Sequence, residues 1–278
     1  ERLNFISSTT VNGVLYGIAL SLYALSVRLF YPQLKDPHQR RHIRFMFAYA
    51  SVVMICGVIF LALNTREIQL AYIDHNKFFG EAYEYEVTDQ HTLPGGITMG
   101  TFSIIIDVLT LGIQIWRLWV IYGTTRYAIA VIILPLLLFF CFTGKSIMRS
   151  ALGSDNIREI FAIDVTAIVS QLTIEILVTA LIIGRLLVVR KHHINIMGAS
   201  ETSKQYMGIV AMLIESYALE SAWTLAALIS GFLVSSTVGT FFIDCDSFIE
   251  IIAYLLVIYR VSSGRGWNRQ TGRQISSL

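Results

Sequence analysis

Seven apolar runs, each close to the length of a bilayer crossing, constrain this chain more than any other feature. A hydrocarbon core about 30 Å thick takes roughly 20 apolar residues of helix. The runs fall at about 9–31, 44–64, 97–121, 127–144, 161–185, 206–233 and 243–262. In lipid every backbone N–H and C=O must find a partner inside the protein, so isolated runs of this length form helices. The predicted fold class is all-α: a polytopic membrane protein built as a seven-transmembrane-helix bundle. Composition agrees where it can decide. Charged residues are 14% of 278, against about 25% in a soluble globular chain, too few to cover a water-facing surface. The fourth run is short and holds Pro135, which neighbouring helices in a bundle tolerate at a kink.

Lysine and arginine set the orientation, because cytoplasmic loops carry the excess of both. Lys35, Arg40, Arg41 and Arg44 follow the first run, and Arg126 follows the third. Arg185, Arg190, Lys191 and Lys204 follow the fifth, and Arg260, Arg265, Arg269 and Arg273 end the chain. With seven spans these all fall on one side. The opposite side is acidic: loop 65–95 carries Glu67, Asp74, Glu81, Glu84, Glu86 and Asp89 against Arg66 and Lys77, and loop 234–246 carries Asp244 and Asp246. The N-terminus is therefore expected outside and the C-terminus in the cytoplasm. Residues 1–264 read as one transmembrane domain and 265–278 as a basic cytoplasmic tail, with the plasma membrane as the expected location and another endomembrane as the alternative. Outer loop 65–95 is rich in Tyr and Phe, which suits either a lid over the outer mouth or a locally packed loop.

Ionisable groups inside spans are costly and turn toward the bundle interior, so they are the best functional signal here. The third run carries Asp107, Gln114 and Arg117 near one face; Arg117 also suits an interface anchor. The fifth carries Asp164, Gln171 and Glu175, within about 40° of one stripe. The sixth contains "MLIESYALESAW", with Glu215 and Glu220. Five residues of helix turn them about 140° apart, so they do not share a spot. Ala222, Ala226 and Ser230 after them read as a small-residue packing face. The seventh carries Glu250 and Arg260.

Two layers are expected from these depths. Asp107, Asp164, Gln171 and Glu250, with Trp223 and Tyr254 as aromatic walls, would line an outer ligand pocket. Gln114, Arg117, Glu175, Glu215, Glu220 and Arg260 would form an inner polar cluster. Each polar residue has a plainer reading beside it, a buried hydrogen bond that only joins helices.

Several chemistries are disfavoured. All six histidines (His38, His42, His75, His91, His192, His193) lie between the runs, which argues against intramembrane haem or a histidine zinc site. Cys56, Cys141 and Cys245 have no metal or disulfide spacing. The seventh run has no central lysine for a retinal Schiff base, and no phosphate-binding glycine loop or nucleophile elbow occurs. No cofactor, no metal and no nucleic-acid partner are expected; the expected partners are membrane lipids, a small ligand and a cytoplasmic signalling protein.

The topology resembles that of a G-protein-coupled receptor, although the third run ends "WRLWVIYG" and the seventh lacks Asn-Pro-x-x-Tyr. Three segments carry a closer resemblance: "LGIQIWRLWVIYG", "SKQYMGIVAMLIESYALESAW" and "IIAYLLVIYRVSSGRGW". With them the chain resembles a large family of serpentine membrane proteins of mushroom-forming fungi. That likeness implies the fold and a fungal source, and no activity. The functional expectation is a receptor-like protein that binds a small ligand from the outer side and signals through its basic loops. The alternatives are an intramembrane enzyme, terpene-cyclase-like, using Glu215 or Glu220 as general acid on a lipophilic substrate, and a proton-coupled carrier.

Overall fold

The computed structural model describes residues 10–33, 40–70, 94–123, 128–151, 157–197, 201–233 and 236–260. They form seven helices: α1 Asn12–Gln33, α2 Arg40–Gln69, α3 Pro94–Tyr122, α4 Ala128–Ala151, α5 Ile157–Met197, α6 Glu201–Leu233 and α7 Ser236–Arg260. Each apolar run is helical over its described residues, and several helices run past the apolar stretch. Helix α5 is the clearest case, with 41 residues, about 60 Å at 1.5 Å per residue. The basic segment expected as loop 185–205 is thus helical through Met197 and again from Glu201. No Gly or Pro lies between Arg185 and Met197, and Arg, Lys and Leu propagate a helix well. At the other end, α7 begins at Ser236, so Asp244 and Asp246 are helical and not in a loop. Most of loop 65–95, the aromatic lid candidate, lies outside the described residues, as does the tail 265–278.

Consecutive helices pack as neighbours and α7 returns to α1, which closes a ring; α3 also reaches α5 and α7. Helix α7 is buried on nearly every side: Cys245, Phe248, Ile249, Ile251, Ile252, Ala253, Tyr254, Leu255, Val257 and Ile258 are all core. A helix buried on most of its sides belongs in the middle of a bundle. It meets α2 closely, since a Cβ on Gly57 would stand 3.0 Å from Ile251 Cδ1. Two apolar clusters result. One joins α1, α2, α3 and α7 around Phe60, Ile106 and Phe248. The other joins α3, α4, α5, α6 and α7 around Leu111, Phe142, Ile174 and Val178.

The outside of the ring is apolar as well. Val14, Ile18 and Leu25 on α1, Val52, Ile55 and Val58 on α2, and Ile133, Leu137 and Phe140 on α4 are all exposed, while Gln114, Gln171, Glu175, Glu220 and Glu250 are buried. Water does not favour that inversion; a lipid surround does. Among the described residues four helical stretches are long and apolar enough to cross a membrane: Asn12–Tyr31, Ile43–Gln69, Gly95–Tyr122 and Val165–Arg185. Val131–Gly144 of α4 is a shorter apolar helix, and Pro135 sits inside α4 without ending it.

Candidate functional site: a buried carboxylate layer

Polar side chains of four helices meet in one buried layer. On α3 the spacing of Thr110 and Gln114 places both on one face. Helix α5 supplies Gln171 and Glu175, α6 supplies Glu220 and Ser221, and α7 supplies Asp246 and Glu250, again four apart. Glu175 is 0% exposed, and Glu220 and Glu250 are 1% exposed. Gln114 donates from Nε2 to both oxygens of Glu220, at 3.1 and 3.2 Å. Thr110 Oγ1 donates to Glu250 Oε2 at 2.6 Å. Gln171 Nε2 donates to Glu250 Oε1 and, at 3.3 Å, to Asp246 Oδ2. Ser221 Oγ donates to Glu175 Oε2 at 3.4 Å.

These bonds draw three carboxylates together. One oxygen from each of Glu175, Glu220 and Glu250 lies within 4.8 Å of the others. At that separation two unit charges repel by about 3 kcal/mol at an effective dielectric of 20. The donors around them, two amides and two hydroxyls, do not cancel three negative charges. Three acceptor atoms of the layer are left unmet. Glu175 Oε1, Gln114 Oε1 and Asp246 Oδ1 are buried without a partner, and all three are acceptors.

One turn along α3 from Gln114 the chemistry changes. Arg117 donates from its guanidinium to Tyr217 Oη at 3.0 Å and lies 5.7 Å from the centre of the Tyr254 ring. It faces the bundle, and a cation over an aromatic face contributes about 0.5–1 kcal/mol when exposed and about 2 kcal/mol or more when desolvated. Glu215 stands apart from all of this. It pairs with Arg260 at 2.8 Å, with side chains 65% and 32% exposed.

The sequence expectation of separate outer and inner layers is corrected by this arrangement. Glu250 and Gln171, assigned outside, share a cluster with Glu175, Glu220 and Gln114, assigned inside. Tyr254, expected as an outer aromatic wall, packs on Arg117 and stands 6.0 Å from Tyr49. Trp223 bonds through Nε1 to the Phe242 carbonyl at 2.9 Å and packs on that ring, at the α6–α7 contact. Asp107 is partly buried; Asp164 lies in α5 with its side chain outside the described set. Ala222, expected in a packing face, is exposed, and the buried face of α6 is instead Ser216, Tyr217, Glu220, Thr224, Ala227 and Ser230. The helix is rotated so that Glu220 leads inward.

Sequence reasoning missed Thr110, Tyr217, Ser221 and Asp246. The signals were available for two of them. Thr110 is three residues from Asp107 and four from Gln114, and Asp246 is four from Glu250. Placing Asp246 in a loop hid the second.

Fold and site together define a helical membrane protein with a carboxylate-rich polar layer in its core. No family model, no curated protein and no solved structure matches the chain.

Proposed function

We propose that this chain is a receptor-like seven-helix protein of the plasma membrane, kin to the serpentine fungal proteins it resembles, with its N-terminus outside. A small ligand entering from the outer side would act on the polar layer, and the response would leave through the cytoplasmic ends of α5 and α6. The observation that carries this reading is the layer itself. A movement of α6 against α3 must break the Gln114–Glu220 contact, and hydrogen bonds between membrane helices are weak enough to exchange, averaging about 0.6 kcal/mol. Below it, Arg260 and Glu215 tie α7 to α6 through an exposed ion pair, which a conformational change can remake. The helical continuation of α5 carries Arg190 and Lys191 past the apolar stretch, and a cytoplasmic partner would meet this basic segment.

A second reading is supported by the three converging carboxylates: a proton-coupled carrier, in which they relay protons. The enzyme alternative narrows to Glu220, because Glu215 lies on the surface against Arg260.

The test is a distance measurement across α3 and α6. Spin labels at Trp119→Cys and Ile214→Cys, both exposed positions, would be read with the protein in nanodiscs. The receptor reading expects a second α3–α6 distance to gain population in Glu220→Gln. One unchanged distance in wild type and variant removes the switch.

A further inference from the structure

We propose that Glu175, Glu220 and Glu250 form a binding site for one calcium-sized divalent cation. The three carboxylates come from α5, α6 and α7, and their oxygens lie within 4.8 Å of one another. They are not a run of surface acids: all are fully buried. A second observation comes from a neutral residue. Gln114 is 3% exposed, and its carboxamide is held against Glu220 by two bonds from Nε2. The carbonyl oxygen of that same carboxamide is buried with no partner. A neutral acceptor left bare beside carboxylates is what a cation shell uses and what an anion site would exclude.

The donor set names the class of ion. Every available atom is oxygen, which suits a hard cation and not a thiolate or imidazole metal. Coordination narrows it further. Magnesium demands a near-ideal octahedron at about 2.0–2.1 Å and keeps several waters, whereas calcium takes a looser set of oxygens at about 2.3–2.6 Å. The looser demand suits three fully buried carboxylates fixed on separate helices, with oxygens within 4.8 Å of one another. Charge favours a divalent ion over sodium, because Asp246, bonded to the same Gln171 amide that holds Glu250, adds a fourth carboxylate against the single guanidinium of Arg117. The inference does not rest on the signalling reading, and either can fail alone.

The full chain in detergent would be stripped with chelator and titrated with calcium chloride, with binding read by equilibrium dialysis and by thermal unfolding. About one calcium per chain is expected, with a saturable rise in Tm and at least tenfold weaker effects of magnesium and sodium at matched ionic strength. Glu220→Gln and Glu175→Asp should lower the affinity at least tenfold; Glu215→Gln should not change it. Glu175→Asp keeps the charge and shortens the arm, so it serves where the amide variant does not fold. Three results overturn the proposal: no saturable calcium binding, equal potency of magnesium or sodium, or an equal loss in Glu215→Gln. Stabilisation by lowered pH with no response to any ion would leave protons as the occupants and overturn it equally.

Discussion

Gln114 on α3 donates to both carboxylate oxygens of Glu220 on α6, at 3.1 and 3.2 Å, and both residues are buried. The contact crosses the bundle where α3 and α6 face one another. A buried carboxylate that loses its donor keeps its desolvation cost. Gln114→Leu should therefore destabilise the folded protein more than an apolar replacement of similar size normally does, by about 1–3 kcal/mol. A double-mutant cycle with Glu220→Leu, read by reversible unfolding in mixed micelles, should return a coupling energy of about 0.6–1.7 kcal/mol. Strict additivity would mean that the two side chains do not interact.

The other glutamate of the same segment should behave differently. Glu215 and Arg260 form an exposed pair, and such pairs contribute about 0–1 kcal/mol. Glu215→Gln is expected to shift the unfolding midpoint only slightly, and raised salt should reproduce most of that shift. A loss as large as that of Gln114→Leu would place Glu215 in the interior.

The three cysteines report packing without any substitution. Cys56 and Cys245 are buried, and Cys141 is exposed on α4. A small maleimide applied in detergent should modify one thiol per native chain and three after unfolding, counted by intact mass. Rapid modification of Cys245 would contradict the buried position of α7.

Helix α7 should be the element least tolerant of truncation. Phe248 is fully buried against Tyr16 and Phe60, and Phe248→Ala should cost about 3 kcal/mol or more. Phe140, 62% exposed on α4, is the control, with an expected change within about 0.5 kcal/mol. The comparison is made in one detergent by thermal unfolding.

Orientation can be read at the two ends of one hairpin. Tyr31 near the end of α1 and Gln69 at the end of α2 are both exposed. In sealed cells an impermeant maleimide should label Gln69→Cys and spare Tyr31→Cys until the membrane is opened. The reverse pattern inverts the proposed topology.

How much was legible in advance differs between the helices and the layer. The apolar runs marked all seven helices, because the length of an apolar segment is a local property. The helix ends were less legible. Charged residues such as Arg190 and Lys191 end a membrane span without ending a helix, so α5 runs to Met197. The stripe of Gln171 and Glu175 on α5 was also visible, since 3.6-residue periodicity fixes angles within one helix. Both residues are buried.

By itself, then, the sequence determined that helices form, where the apolar stretches lie, that polar residues sit among them, and that Glu215 and Glu220 diverge. Only the tertiary structure decided which of the two turns inward. Periodicity gives the angle between side chains on one helix and leaves the rotation of that helix, and its depth against its neighbours, undefined. Packing against α3, α5 and α7 sets both for α6: Ser216, Tyr217, Glu220, Thr224 and Ala227 turn inward, and Glu215 is left to Arg260. The same packing brings Glu250 of α7 to Glu175 and Glu220, and three carboxylates that lie far apart along the chain come within 4.8 Å.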